Sequence, residues 1–252
     1  MNKTICITGA TSGFGEAMAR RFAHEGWQVI ITGRRLERLQ SLAADLAPAK
    51  VHTAAFDVRD KEAVEAFAAA LPEDFRAVDV LVNNAGLALG LEPAHRCDME
   101  LWETMVDTNI KGTLYVTRAL LPGMVERGTG HVIGIGSIAG SYPYPGGNVY
   151  GGTKAFMKQF ALNLRADLHG TGVRVTNIEP GMADTEFSLV RFEGDKGRAD
   201  SVYQGMQPLV AEDIADIVHY ATSVPAHVNI NRLEVMPTAQ SFGMFPVARK
   251  ES

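Results

Sequence analysis

The sequence predicts an α/β protein. It should be a doubly wound, mostly parallel seven-stranded sheet with helices on both faces, in a single domain over residues 1–252. Three observations predict it. Short β-type runs alternate with helical segments along the chain. The strand runs are continuously apolar, as expected of strands buried on both faces. Glycine makes up 25 of the 252 residues, above the roughly 7% of average usage and without a collagen period, which suggests turns whose backbone approaches something closely. Hydrophobic residues at 46% and charged residues at 21% are globular proportions, and a chain of this length can bury one large core.

Each element has its own signal. Residues 4–8 (TICIT) form a compact apolar strand, and 13–26 a helix stopped by Gly26. Residues 27–32 (WQVIIT) give the second strand. Leu36, Leu39, Leu42 and Leu46 lie at helical spacing within 35–47. Residues 51–56 are the third strand, 60–71 a helix, and 78–83 (VDVLVN) the fourth strand. Two helices follow, over 100–110 and 113–127. Residues 131–137 are the fifth strand, 149–170 a long helix and 173–179 the sixth strand, followed by a helix at 211–223 and a strand at 231–236. The irregular, charge-mixed stretch after Gly181, residues 182–208, reads as a lid over a cleft, since loops of that length are more often functional than core. The tail 238–252, with Phe242 and Phe245, either packs on a neighbour or frays.

Several function classes are excluded. A net charge of −5, with only the short clusters Arg20-Arg21 and Arg34-Arg35, gives no footprint for nucleic acid. Cys6 and Cys97 form no CxxC and the histidines no HExxH, so no metal is expected and the thiols are structural. No apolar run approaches a membrane span, and the N-terminal apolar run is too short for a signal segment. The expectation is a cytoplasmic protein.

Thr8-Gly9-Ala10-Thr11-Ser12-Gly13-Phe14-Gly15 joins the first strand to the first helix. Glycines there allow a tight turn and a close approach to a pyrophosphate, and the helix start adds free N–H groups and a positive dipole end. This strand–turn–helix context is that of a Rossmann-type dinucleotide site. An NAD site usually places an acid about 20 residues on. Here the second strand ends Thr32-Gly33-Arg34-Arg35. Two guanidiniums suit a 2′-phosphate and oppose the dipole of the helix they begin, which points to NADP(H). Asp57-Val58 follows the third strand. Asp57 either accepts from an adenine amino group or caps the helix before Lys61. Asn83-Asn84-Ala85-Gly86 closes the fourth strand, where small and amide residues can wall a crevice. Asn109 interrupts a helical pattern in which Asn is a poor interior residue, so it should hold a kink, a water or a polar network.

Tyr150-Gly-Gly-Thr-Lys154 opens the long helix, and residues four apart share a face. At about 4 Å and an effective dielectric near 20, an ammonium stabilises a phenolate by roughly 4 kcal/mol. That would bring the phenol towards the range where acid–base catalysis works best. Ser137 ends the fifth strand, where ligands of open sheets bind, and its hydroxyl can orient a substrate oxygen. The context Ile135-Gly136-Ser137-Ile138-Ala139 lacks the flanking glycines of a hydrolase elbow.

Together these residues resemble the short-chain dehydrogenase/reductase family. The turn at Thr8–Gly15, NNAG at 83–86, Asn109, Ser137, YxxxK at 150–154 and Pro180-Gly181 stand in that family's order over essentially the whole chain. The resemblance implies that Tyr150 is the acid/base, that Lys154 lowers its pKa and holds the nicotinamide ribose, and that Ser137 positions the reacting oxygen. It implies that Asn109 holds a relay water, that residues 178–181 line the nicotinamide side, and that Thr185 approaches its carboxamide. It also implies a homotetramer. The strings TGRRLERL, LVNNAGLALGLEPAH, PGGNVYGGTKAF and TEFSLVRFEGD resemble the bacterial NADP-dependent 3-hydroxy acid dehydrogenases. Those oxidise serine or allo-threonine and reduce malonic semialdehyde. Sulfoacetaldehyde reductases and broader carbonyl reductases share much of the pattern. A carboxylate or sulfonate substrate needs a cation, and Arg191 in the expected lid is the candidate. A redox sensor that binds NADP(H) without turnover would not need the intact Ser, Tyr and Lys set.

Overall fold

The structure, a computed structural model, describes residues 3–191, 194, 195, 197 and 202–242. Seven strands form one sheet in the order β3-β2-β1-β4-β5-β6-β7, every neighbouring pair parallel. They are β1 (Thr4–Ile7), β2 (Gln28–Gly33), β3 (Val51–Ala55), β4 (Val80–Asn83), β5 (Gly130–Ile135), β6 (Val173–Pro180) and β7 (Arg232–Val235). The α-helices are α1 (Gly13–His24), α2 (Leu36–Asp45), α3 (Lys61–Ala69), α4 (Met99–Val106), α5 (Thr113–Glu126), α6 (Asn148–Asp167), α7 (Glu186–Arg191) and α8 (Ala211–Ser223).

The apolar strand runs follow from two cores, one on each face. Ile5, Ile7, Val29, Ile31, Val80, Val82, Ile133 and Ile135 pack with α1, α2 and α8 through Met18, Phe22, Leu39, Leu42, Ile214 and Val218. The residues between them, Cys6, Ile30, Leu81 and Val132, point the other way onto α3, α5 and α6 through Val64, Phe67, Val116, Leu120, Ala161 and Leu164. Successive side chains of a strand face opposite sides, so a strand covered on both faces must be apolar at every position. The outermost strand β7 departs from this. Its Arg232 and Glu234 blunt an exposed edge.

Two differences from the sequence expectation bear on the site. The helices expected over 100–110 and 113–127 are joined without a break by a widened π turn, Asp107–Gly112, that contains Asn109. The fifth strand ends at Ile135 rather than 137, because Ser137 turns out of the sheet to cap a 3-10 turn, Ile138–Gly140, accepting from Ala139 N at 3.1 Å. The stretch expected as a lid, 182–208, contains α7, and Ala183 bridges to Leu209. Residues 192, 193, 196 and 198–201 of it lie outside the described residues, as does Phe245 of the tail. Among the described residues no helix is long and apolar enough to cross a membrane, and no cluster of ligating side chains could hold a metal.

Candidate active site

Strand order reverses between β1 and β4, and a crevice of about 750 Å³ opens beyond the carboxyl ends of the strands there. Its floor is the turn after β1. Gly9 has φ +66°, a conformation L side chains rarely adopt. A Cβ on Gly15 would run into Gly9 O. These positions therefore accept no side chain, and the backbone itself forms the crevice wall. The turn is bolted to the end of β4. Thr8 Oγ1 accepts from Asn84 N (3.0 Å) and Ala85 N (2.9 Å), and Asn84 Nδ2 donates to Thr8 O (2.8 Å) and Gly9 O (3.1 Å). Thr8 was not singled out from the sequence; its place just before the first glycine was the available signal.

At the adenosine end Thr11, Ser12, Gly13 and Phe14 line the crevice together with Arg34, Arg35, Asp57 and Val58. Arg35 donates to Thr11 Oγ1 at 2.7 Å and to Ser12 Oγ at 3.3 Å. Arg38, further along α2, stands outside the lining and donates to Glu186 at 3.1 Å, a contact the sequence does not announce. Asp57 does not cap α3; Asp60 does, accepting from Ala63 N at 3.0 Å. Asp57 instead takes bonds from Arg59 Nε (3.0 Å) and Nη2 (2.7 Å). Burial opposes its charge, but the bonds from Arg59 outweigh this and hold the carboxyl below the usual range.

The reacting end is drier. Tyr150 and Lys154 are each 7% exposed and Asn109 is 1% exposed. Lys154 Nζ donates to Ile135 O at 2.7 Å and lies 5.8 Å from the Tyr150 ring centre. Asn109 is fully engaged. Its Oδ1 accepts from Leu87 N (2.9 Å), and its Nδ2 donates to Leu87 O (2.8 Å) and Thr153 Oγ1 (3.0 Å). Thr153 in turn donates to Tyr150 O at 2.8 Å. The polar-network expectation for Asn109 thus describes its place, and Thr153, inside the Tyr150–Lys154 motif, is the link the sequence reading missed. Asn109 and Gly15 stand behind the crevice wall. The other candidate site residues (Ser137, Tyr150, Lys154, Gly9, Asn84, Ala85, Gly86, Pro180, Gly181, Thr185 and Arg191 among them) line it.

One electrostatic expectation is corrected. Burial raises the Tyr150 phenol to about 12, against the opposing pulls of a Ser137 hydrogen bond and of Arg191. Burial also lowers the Lys154 ammonium to about 8. The two groups share a helix face as expected, but removal from water costs both charged forms more than their separation repays.

Arg191 comes from α7 to stand beside the phenol. Its guanidinium lies 5.5 Å from the Tyr150 ring centre and 5.4 Å from that of Tyr144, whose hydroxyl accepts from Nη2 at 2.5 Å. Its buried Nε makes no hydrogen bond. The tail also forms part of the wall, which composition could not show. Gln240 Oε1 accepts from Met182 N at 2.8 Å and packs onto Gly181, while the Phe242 ring lies tilted against Tyr142 with ring centres 4.8 Å apart.

A short chain dehydrogenase family profile matches residues 3–195. The chain is 59% identical over 246 residues to the NADP-dependent 3-hydroxy acid dehydrogenase YdfG of Salmonella typhi, covering 97% of this chain and 99% of that one. It is 58% identical over 250 residues to the serine 3-dehydrogenase of Rhizobium radiobacter, covering 99% and 100%. Among solved structures, the closed form of a serine dehydrogenase complexed with NADP+ superposes with a TM-score of 0.96 at 57% identity, over 98% of this chain and all of that one.

Proposed function

The chain belongs to the short-chain dehydrogenase family, and from that premise we propose that it moves a hydride between NADP(H) and a small 3-hydroxy or 3-oxo acid. Serine, allo-threonine, 3-hydroxyisobutyrate and malonic semialdehyde represent the class. The observation that carries the substrate assignment is Arg191, a cation held against Tyr150 with a buried Nε to spare. A carboxylate two carbons from the reacting centre would pair with it while the substrate oxygen stays at Tyr150. The relatives named above act on substrates of this kind and use NADP.

The crevice fits the cofactor. The turn at Gly9, packed too tightly at Gly15 to admit a side chain, suits a pyrophosphate, with Thr11, Ser12, Gly13 and Phe14 lining the crevice at the start of α1. Arg34 and Arg35 would hold the 2′-phosphate, Asp57 and Val58 the adenine, and Asn84, Ala85 and Gly86 the central wall. Tyr150 and Lys154 would hold the nicotinamide ribose, and Pro180, Gly181 and Thr185 the nicotinamide. Bound NADP(H) supplies or accepts the hydride. In the reductive direction Ser137 Oγ donates to the carbonyl oxygen and fixes its position. Tyr150 Oη then delivers a proton to that oxygen. The Lys154 ammonium and the Arg191 guanidinium stabilise the phenolate left behind, and Asn109, through Leu87 and Thr153, keeps this end of α6 in register. In oxidation the phenolate takes the hydroxyl proton. A phenol that burial keeps protonated at neutral pH is charged ready for reduction.

A sulfonate would meet the same cation, so a sulfoacetaldehyde reductase is the second reading. The deciding experiment is a kinetic panel with NADP+ and L-serine, L-allo-threonine, 3-hydroxyisobutyrate and isethionate, and with malonic semialdehyde and sulfoacetaldehyde in reverse. Preference for isethionate would select the second reading; turnover of uncharged alcohols alone would defeat both. Arg191→Ala should raise KM for the acids more than for uncharged alcohols, and an equal rise for both would defeat its carboxylate role. The same reading has residues 182–208 as a substrate lid. It places the protein in the cytoplasm as a homotetramer, an assembly that sedimentation as a monomer at micromolar concentration would contradict.

A further inference from the structure

We infer that Glu186 is a positioning residue that ties the two ends of the crevice together. The inference takes from the reading above only that Arg35 faces the 2′-phosphate end and that Tyr150 is the acid/base. Three consecutive residues at the start of α7 go to three different places. The Thr185 side chain sits over the glycine turn, where a Cβ placed on Gly13 would meet Thr185 Cβ at 3.5 Å. The Phe187 ring lies 5.7 Å from that of Tyr150 and packs in the same small cluster as Ala88 and Met105. Between them, the Glu186 carboxylate reaches back to α2, 148 residues earlier, and accepts from Arg38 Nη1 at 3.1 and 3.3 Å, with Arg35 Nη1 at 3.8 Å.

Arg35 is bonded at the same time to Thr11 and Ser12 of the phosphate turn. A continuous chain of contacts therefore runs from that turn through Arg35, Glu186 and the peptide of α7 to the ring against Tyr150. Phe187 N donates to Thr185 Oγ1 at 3.2 Å, so this first turn is braced as a unit. The ion pairs are about half exposed, at 45% for Arg35 and Glu186 and 50% for Arg38. Pairs of that kind add little to stability and are screened by salt. They suit a contact that fixes the position of α7 rather than one that stabilises a core.

The test uses the full-length protein. NADPH fluorescence titration gives Kd, steady-state reduction of malonic semialdehyde gives kcat and KM, and thermal unfolding reports folding. Glu186→Gln should lower kcat about two- to five-fold, the fold-change equivalent of an exposed pair, while Kd for NADPH moves less than about two-fold and Tm is unchanged. Raising salt at saturating substrates should lower the wild-type kcat and leave that of E186Q unmoved. Glu186→Asp, which keeps the charge, should retain more of kcat than E186Q, which a loss of generic structure would not allow. Unchanged kcat in E186Q would overturn the inference. So would tighter NADPH binding with kcat intact, which would make Glu186 only a rival of the phosphate, or an aspartate variant that folds but does no better than E186Q. A wild-type protein that binds no NADPH would sink the cofactor reading and this inference together, and would show before any substitution is made.

Discussion

At the adenosine end of the crevice Arg35, Arg38 and Glu186 keep about half of their side-chain surface in water. At the other end Asn109, Tyr150 and Lys154 expose 1–7% of theirs. On the function proposed above, the first end would work with fixed charges, which need no burial to attract a phosphate and which water keeps inexpensive. The second works with groups whose charges are costly, so its geometry is held by a closed set of hydrogen bonds running from Leu87 through Asn109 and Thr153 to the backbone of Tyr150. The proposed cofactor contacts thus lie on exposed side chains, and the proposed chemistry beside Asn109 and Thr153, whose side chains are fully bonded. Substitutions at the two ends should therefore fail differently.

The largest expected difference is Tyr150→Phe. Losing the proton donor should cut kcat by about 10²–10⁴, with NADPH affinity nearly unchanged in a fluorescence titration; a variant that turns over normally would end the assignment. Asn109→Ala comes next. It strips partners from Leu87 N, Leu87 O and Thr153 Oγ1 in a buried site, and should cost about 2–3 kcal/mol of stability in a urea transition and lower kcat as well. At the other end Arg34→Ser with Arg35→Ser should weaken NADPH binding by about 10- to 100-fold, from the loss of charge-assisted bonds. Binding of NADH and the melting temperature should stay put. A melting loss as large as that of N109A would erase the contrast between the ends.

The smallest effect is a pH dependence. Burial lowers Lys154 from 10.5 to about 8, so the unfolded chain holds that proton more tightly than the folded one. Folding stability should then rise between about pH 8 and 10.5 as the buried charge is shed. Compared with Lys154→Met, the wild type should gain on the order of 1–2 kcal/mol from pH 8 to pH 10. Tyr150, raised to about 12, works in the opposite sense, but only above pH 10. A flat difference across that range would mean that Lys154 is hydrated.

The frame of the molecule was legible because its causes are local or periodic. Ile5 and Ile7 against Cys6, or Val80 and Val82 against Leu81, are apolar in series, and that alone requires cover on both faces. Gly9 and Gly15 are set by the backbone, and the short spacing of Tyr150 and Lys154 by one turn of helix. What stayed hidden depends on neighbours distant in sequence. The π turn at Asp107–Gly112 leaves the helical apolar pattern nearly intact, so it reads as a gap between two helices. The raised Tyr150 phenol follows from burial by residues distant in sequence, which a YxxxK spacing cannot express. Thr153 had no role until Asn109 arrived from a helix 44 residues away, and the tail had no address until Gln240 met Met182.

That last contact bears on how the protein should be handled. Met236, Gln240 and Phe242 form part of the chamber wall, so a chain cut back before Gln240 would lose part of that wall. β1, an interior strand, begins at Thr4, at the amino ends of the parallel strands and so opposite the crevice. Purification handles, surface tethers and reporter domains therefore belong at the amino terminus, where they leave from the far side of the molecule.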